Sequence, residues 1–302
     1  MLPAPIVAVV GATASGKSDL ALDLAERLGG EIVNTDAMQV YRGMDVGTAK
    51  LPAAERRGIP HHLLDMLEVT EPATVAQFQT WAHEVIADCR SRGVVPVLVG
   101  GSALYTRAIL DVFDFPATDP ALRAELEAEL EANGVDALLL RLRAVDPASA
   151  DRIGINGRRI VRALEVIAIT GEPYTSTLPQ PTYADPGTIQ IGVDMDRPTS
   201  DARIAERVEA MWADGFVDEV RALEARGLRD GVTASRAIGY GQVLAFLDGE
   251  ISEAEAREQT INRTRRFVRR QDGWFRKDDR ITWVSYDDPD RVARAAAAVA
   301  AL

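Results

Sequence analysis

Along the first hundred positions, short apolar runs alternate with helix-type patterns, and this alternation predicts a parallel β-sheet with crossover helices. Residues 6–10 are the first apolar run; a helical pattern over 19–28 follows and stops at Gly29-Gly30. A short strand is expected at 31–33. From 74 to 90, Val75, Phe78, Trp81, Val85 and Ile86 recur at helical spacing, and 94–99 has the character of a buried strand despite Pro96. Gly100-Gly101 then opens the next helix.

The texture changes after Phe115. Asp119 suits an N-cap with Pro120 at the first helical position, and Leu122, Leu126 and Leu130 recur among glutamates. Asp146-Pro147 starts another helix, and 156–170 a third, ended by Gly171. A Pro-rich loop over 173–186 precedes a strand at 188–195. These helix signals predict an all-helical insertion over 115–190, carried on a core made of 1–114 and 191–302.

Helices dominate the remainder, at 201–213, 216–226, 239–247 and from 252 onward, where Ser252 and Glu255 form a capping-box pattern. On the last of these, Arg263, Arg266 and Arg270 share a face with Arg265 and Arg269 beside it. A solvated surface face and a nucleic-acid-binding face are both compatible with that pattern. Trp274, Phe275 and Trp283 are expected as core anchors.

Composition narrows the classes. The 302 residues are 47% hydrophobic and 26% charged, with no span approaching the roughly 20 apolar residues a bilayer requires. A single cysteine, Cys89, excludes an internal disulfide framework, and three histidines make a zinc cluster improbable. The expectation is a cytoplasmic, monomeric protein without a membrane partner. A net charge of −12 argues against bulk attraction to nucleic acid, so any such partner needs a local basic surface. Nine basic residues against four acidic ones between 257 and 280 supply one.

The chemistry is concentrated at the start. Gly11-Ala12-Thr13-Ala14-Ser15-Gly16-Lys17-Ser18 is a P-loop between a predicted strand and a predicted helix, where backbone N–H groups and Lys17 cradle phosphates. Ser18 is the candidate ligand of Mg2+. Only Lys17, Lys50 and Lys277 are lysines, so the P-loop cation is specified by chemistry in a chain that otherwise uses arginine. Asp36 follows the second strand, at the carboxyl end of the sheet where open α/β folds bind ligands, and is placed to ligate the metal or take a proton. Gln39 offers an amide of the kind that recognises an adenine edge.

The sequence resembles the tRNA dimethylallyltransferase family in seven segments that fall in order and cover nearly the whole chain. They are GATASGKS (11–18), NTDAMQVYRGMDVGTAK (34–50), PHHLLD (60–65), VLVGGSALY (97–105), NGRRIVRALEV (156–166), SRAIGYGQ (235–242) and RRFVRRQDGWFR (265–276). The resemblance implies a P-loop NTPase-like α/β core and transfer of a dimethylallyl group from dimethylallyl diphosphate to the exocyclic amine of the adenosine 3′ of the anticodon. It implies that Lys17, Arg236 and Mg2+ on Ser18 neutralise the diphosphate, and that Asp36 is the general base. It further implies tRNA contacts, through the anticodon stem-loop, from Asp36, Ala37, Met38, Gln39, Ser102, Arg123, Arg158, Arg159, Arg162, Arg266 and Arg270. Thr13 and Ser102 match positions that touch the diphosphate or the target nucleotide. Ala12, Ala37 and Gly157-Arg158 depart from the family's commoner Pro, Ser and Pro-Gln. A P-loop kinase of a small metabolite or nucleotide is the alternative, with Asp36 activating a hydroxyl.

Overall fold

The computed structural model describes residues 3–113, 115–174 and 181–302. These divide into two compact units: residues up to Leu110 together with Tyr183–Leu302, and Asp111–Thr182.

The larger unit is built on six parallel strands: β1 (Ile6–Val10), β2 (Gly30–Asn34), β3 (His61–His62), β4 (Val95–Gly100), β5 (Thr188–Asp194) and β6 (Ile281–Ser285), in the order β3-β2-β4-β1-β5-β6. The unbroken apolar run of β1 follows from burial on both faces. Ile6, Ala8 and Val10 enter one core cluster while Val7 and Val9 enter the other. The second cluster packs under α1 (Lys17–Leu28) and α11 (Arg291–Ala300), which contribute Leu20, Leu24, Ala295 and Val299. The first cluster joins α2 (Val75–Ser91), α3 (Ala103–Leu110), α8 (Phe216–Glu224) and α9 (Tyr240–Leu247) through Phe78, Tyr105, Phe216 and Tyr240. Two further helices, α7 (Arg197–Ala213) and α10 (Glu253–Phe275), add Val208, Trp212 and Phe275.

The smaller unit holds α4 (Pro120–Val145), α5 (Pro147–Ile153) and α6 (Gly157–Thr170) around Leu126, Leu138, Leu142, Ile160 and Leu164. As expected, the side chains of Asp119, Asp146 and Asn156 accept the first-turn N–H groups, and Gly171 closes α6 in the left-handed conformation. At Gly134, φ 77° and ψ 171° break α4 into two helical segments.

The structure differs from expectation in three places. The smaller compact unit spans 111–182 where the insertion was expected over 115–190, and Thr188 already pairs with Ile6 at the start of β5. Residue 114, the expected core boundary, and 175–180 of the Pro-rich loop lie outside the described residues. Strands β3 and β6 carried no sequence signal: β3 is two residues long, and β6 is an edge strand with exposed Thr282 and Ser285. Of the three aromatics expected as anchors, Phe275 is buried and Trp283 half-buried beneath Arg276, whereas Trp274 is 53% exposed.

Candidate active site

Between β1 and α1 the chain turns through Gly11 (φ 148°), Ala14 (φ 63°) and Gly16 (φ 87°), which aligns the loop with the amino end of α1. A Cβ on Gly11 would lie 3.2 Å from the Val193 carbonyl oxygen, so glycine keeps the loop against β5. Lys17 is the first residue of α1, and its Nζ donates to the Ala12 carbonyl at 3.3 Å. Ser18 is exposed beside it, an oxygen donor of the hard type that suits Mg2+.

The loop is fastened from far along the chain. Gln271 on α10, buried, accepts the Thr13 N–H at 3.0 Å and donates Nε2 to the Gly101 carbonyl at 2.7 Å. Gly100, which ends β4, and Gly101 after it permit this packing: a Cβ on Gly101 would meet Gln271 Nε2 at 2.3 Å, and one on Gly100 would meet Thr35 Oγ1 at 2.1 Å. Ser102 is half-buried, its carbonyl accepting the Thr106 N–H.

Asp36 is held by its neighbours. Asn34 accepts the Asp36 N–H at 2.9 Å through Oδ1 and donates Nδ2 to the Asp36 and Leu63 carbonyls, each at 3.0 Å. Asp36 Oδ1 accepts the Met38 N–H at 2.9 Å, and among the described residues nothing donates to its other oxygen. The electrostatics join Asp36 to Lys17, Arg207 and Tyr105. Burial and the Arg207 guanidinium push Lys17 down to about 8, with Asp36 opposing. Burial lowers Arg207 from the usual arginine range, again against Asp36. Burial, Tyr41 and Asp36 push Tyr105 up to about 12.

Met38 and Ala37 lie half-buried against the larger core cluster. Gln39 donates Nε2 to the Thr48 and Ala49 carbonyls at 3.1 and 3.4 Å, so its Oε1 is the atom left for a ligand. The loop beyond is rigid for identifiable reasons. Buried Lys50 reaches the Tyr41 carbonyl, Asp45 and Asp65 at 2.8, 2.7 and 2.6 Å. The Glu219 carboxylate collects the N–H groups of Asp45, Val46 and Gly47 and the hydroxyl of Tyr240.

Arg236 ends a 3-10 turn, Ala234–Arg236; it is exposed, and its guanidinium makes no hydrogen bond or ion pair with a described residue. It is therefore not joined to Lys17 and Asp36 by protein contacts, whereas Arg207, which sequence reasoning missed, is electrostatically coupled to both. Along α10, Arg263, Arg266, Arg269 and Arg270 are exposed. With Gln259, Asn262 and Arg265 several of them line a cavity of about 480 Å³ bounded by Asp201, whose carbonyl oxygen accepts from Arg265 at 3.0 Å. Arg270 lies over Phe267, 5.8 Å from the ring centre.

Within the helical unit, Arg158 and Arg159 are exposed, but Arg123 and Arg162 are tied down. Both bond to fully buried Glu165, at 2.6 and 2.7 Å, and Arg162 also donates to the Pro116 and Ala117 carbonyls. A second cluster, Glu31, His62 and Cys89, brings ligand-type atoms within 4.8 Å of one another. Arg92 occupies both Glu31 oxygens at 2.7 Å, and burial and Glu31 push the Cys89 thiol up to about 11, so Glu31 is held in an ion pair.

The profile described as IPP transferase matches residues 39–278. The tRNA dimethylallyltransferase of Nocardioides sp. is 70% identical over 298 residues, covering 98% of this chain and 96% of that protein. The chain belongs to the IPP transferase family. Among solved structures of the family, the tRNA isopentenylpyrophosphate transferase of Bacillus halodurans superposes with a TM-score of 0.73 at 38% identity, covering 98% of this chain and 96% of that one. A eukaryotic dimethylallyltransferase acting on tRNA gives 0.84 at 25% identity, covering 98% of this chain and 77% of that one. Sequence reasoning did not single out Arg207, coupled electrostatically to Lys17 and Asp36, Glu219, which holds the 45–47 segment, or Gln271, which holds the P-loop. Gln271 had a signal, since it shares with Val268 and Phe275 the buried stripe of α10.

Proposed function

We propose that the protein transfers a dimethylallyl group from dimethylallyl diphosphate to the N6 amine of the adenosine immediately 3′ of the anticodon, in tRNAs reading codons that begin with U. The observation that carries this reading is the Asp36 carboxylate, with one oxygen fixed by the Met38 N–H, the other open, and the P-loop lysine within electrostatic reach.

The residues support a direct transfer. The allylic carbon–oxygen bond breaks and the N6–carbon bond forms, while the amine proton passes to the open oxygen of Asp36. The departing diphosphate keeps the electron pair of the broken bond, and Lys17, the P-loop N–H groups and the exposed Arg236 offset its charge. Mg2+ suits the exposed Ser18 hydroxyl and supplies further neutralisation of the leaving group when bound. Gln39 Oε1 is available to accept from the adenine amine, which holds the nucleophile in line. A base in a loop must unstack to enter such a site. The exposed Arg266 and Arg270 on α10, and Arg158 and Arg159 on the helical unit, suit phosphates of the anticodon stem-loop. Arg123 and Arg162 are assigned there a bracing part through Glu165.

The test is to incubate protein and Mg2+ with labelled dimethylallyl diphosphate and an anticodon stem-loop bearing adenosine at that position, beside a reaction supplied with ATP and no prenyl donor. Label in the RNA supports the reading. Phosphate leaving ATP for a metabolite, with no label in the RNA, overturns it in favour of a kinase.

A further inference from the structure

After Gln39 the chain folds into a tight turn over 44–50 whose last carbonyls meet the Gln39 side chain. The Thr48 hydroxyl donates to the Met44 carbonyl at 2.6 Å, the Ala49 N–H to the Val46 carbonyl at 3.0 Å and the Lys50 N–H to the Asp45 carbonyl at 2.9 Å. Ala49 takes the left-handed conformation, φ 49°, which a side chain adopts only where its surroundings enforce it.

Glu219, half-buried in the first turn of α8, does the enforcing. One of its oxygens accepts the Asp45 and Val46 N–H groups at 2.9 and 2.6 Å, and the other accepts the Gly47 N–H at 3.1 Å and the Tyr240 hydroxyl at 2.6 Å. The turn lies so close to α8 that a Cβ on Gly47 would be 2.1 Å from Phe216 Cε2. Successive N–H groups converging in this way make an anion-binding concavity, here filled by the protein's own carboxylate. The far end of the turn then sets Gln39. The Thr48 and Ala49 carbonyls can only accept, so the amide turns its NH2 towards them, at 3.1 and 3.4 Å, and its Oε1 away. An outward oxygen accepts from an exocyclic amine and repels a carbonyl, which is the difference between adenine and a 6-oxopurine on the same edge.

We propose that Glu219 is a positioning residue for adenine selection: by fixing residues 45–47 it aims the Thr48 and Ala49 carbonyls, and through them it sets the polarity of the Gln39 amide. This rests on the reading of Gln39 as the residue that meets the target adenine, and it adds how that amide is oriented from α8. Without the Glu219 anchor the amide is free to rotate and offer its NH2 to a carbonyl, so discrimination between bases is lost while RNA binding persists.

The experiment compares, by competition titration without a prenyl donor, anticodon stem-loops carrying adenosine, purine riboside or inosine immediately 3′ of the anticodon. The unsubstituted protein is expected to bind the adenosine form about tenfold or more tighter than the inosine form, with purine riboside between. In Glu219→Ala that ratio is expected to fall by about threefold or more, with pyrophosphate affinity unchanged because Gln271, on α10, fastens the P-loop. Glu219→Asp, a carboxylate on a shorter arm, is expected to recover part of the ratio. Gln39→Ala is expected to lose it, with no further loss when Glu219→Ala is added. Where Glu219→Ala does not fold, the nearly isosteric Glu219→Gln carries the same test, since its NH2 faces an N–H that the carboxylate accepted. An adenosine-to-inosine ratio unchanged in the folded Glu219 variant overturns the assignment, even where kcat falls, and so does a ratio near one in the unsubstituted protein. A Glu219-dependent ratio in a protein that transfers no prenyl group upholds the assignment and rejects the proposed reaction; transfer with a Glu219-independent ratio does the reverse.

Discussion

Thr13 in the P-loop donates its N–H to the Oε1 of Gln271, 258 residues further along the chain, at 3.0 Å. Through Nε2 the same side chain holds the Gly101 carbonyl at 2.7 Å, so a single amide on α10 fixes the phosphate loop against the segment that follows β4.

Gln271→Ala strands a buried carbonyl and leaves the Thr13 N–H without its partner. It is expected to cost about 1–3 kcal/mol of stability and to raise the KM for dimethylallyl diphosphate more than it lowers kcat, because the P-loop grips the diphosphate before and during departure. Gln271→Glu keeps an acceptor for Thr13 but sets an anion against the Gly101 carbonyl, and should be no better. Thermal melts and steady-state kinetics on both variants check this.

Asp36 has two jobs that substitution can separate. Asp36→Asn retains an oxygen for the Met38 N–H and removes the base, so kcat should fall by about 10²–10⁴ with the KM for RNA little changed. Asp36→Ala also releases the Met38 turn and should weaken RNA binding as well. Single-turnover transfer together with stem-loop binding distinguishes them; near-normal turnover in Asp36→Asn removes Asp36 from the proton's path.

These pairs show what the sequence carried and what it did not. The run Ile6–Val10 was legible because burial on both faces makes every residue apolar, and the start of α10 because Ser252 and Glu255 satisfy each other's backbone within four residues. The strand, loop and helix over 6–28 were legible because a phosphate-binding motif has a local spacing between a strand and a helix. β6 was not: an edge strand with one face in solvent reads as Ile-Thr-Trp-Val-Ser, and its pairing with Gln190 to Asp194 is a long-range fact. Arg207 and Glu219 had the same difficulty. On their own helices they are ordinary charged residues, and their meaning comes from Lys17 and from the N–H groups of residues 45–47, each more than 170 positions away.

Two arginines of the helical unit that resemble RNA contacts are bonded to a buried carboxylate. Glu165 is fully buried; burial raises its carboxyl, but the bonds from Arg123, Arg162 and the Asp119 N–H outweigh this and hold it below the usual carboxylate range. Glu165→Gln removes the charge that three donors share and is expected to destabilise the helical unit by roughly 1–3 kcal/mol. Arg123→Ala should lower the melting temperature similarly, while Arg159→Ala, on an exposed site, should weaken stem-loop binding and leave the melt unchanged. Proteolysis within 111–182 alongside binding titrations reads both effects.

Acid should act through Glu31. Hydrogen bonding to Arg92 pulls its carboxyl from the ordinary 4.5 down to about 2, with His62 adding to the effect and burial opposing it. A folded-state value below the unfolded one stabilises the protein above about pH 4.5, and that contribution disappears as the pH falls from there towards 2. Glu31→Gln is therefore expected to be less stable than the unsubstituted protein at pH 7, with the gap closing over this window. Urea melts across pH 2–7 measure it, and a gap independent of pH rules out the Glu31–Arg92 pair as its source.

The arginines of α10 must act against an unfavourable background, since the chain as a whole carries a net charge of −12. Attraction to RNA then depends on a few fixed phosphate contacts, each releasing close to one counterion, and not on the field of the whole surface. Arg266 and Arg270 are exposed, and neither is neutralised by a carboxylate among the described residues, unlike Arg269, which lies 3.6 Å from Asp201. Replacing both by Ala should reduce the slope of log affinity against log salt by about 1.5–2 and weaken stem-loop binding most at low salt. Because phosphate contacts position the RNA without touching the reacting atoms, kcat at saturating RNA should be nearly unchanged. Reversing Asp201 to Asn offers the complementary outcome, freeing Arg269 and steepening the slope; fluorescence titrations at several salt concentrations measure both, and equal slopes in all three proteins would take RNA off this face of α10.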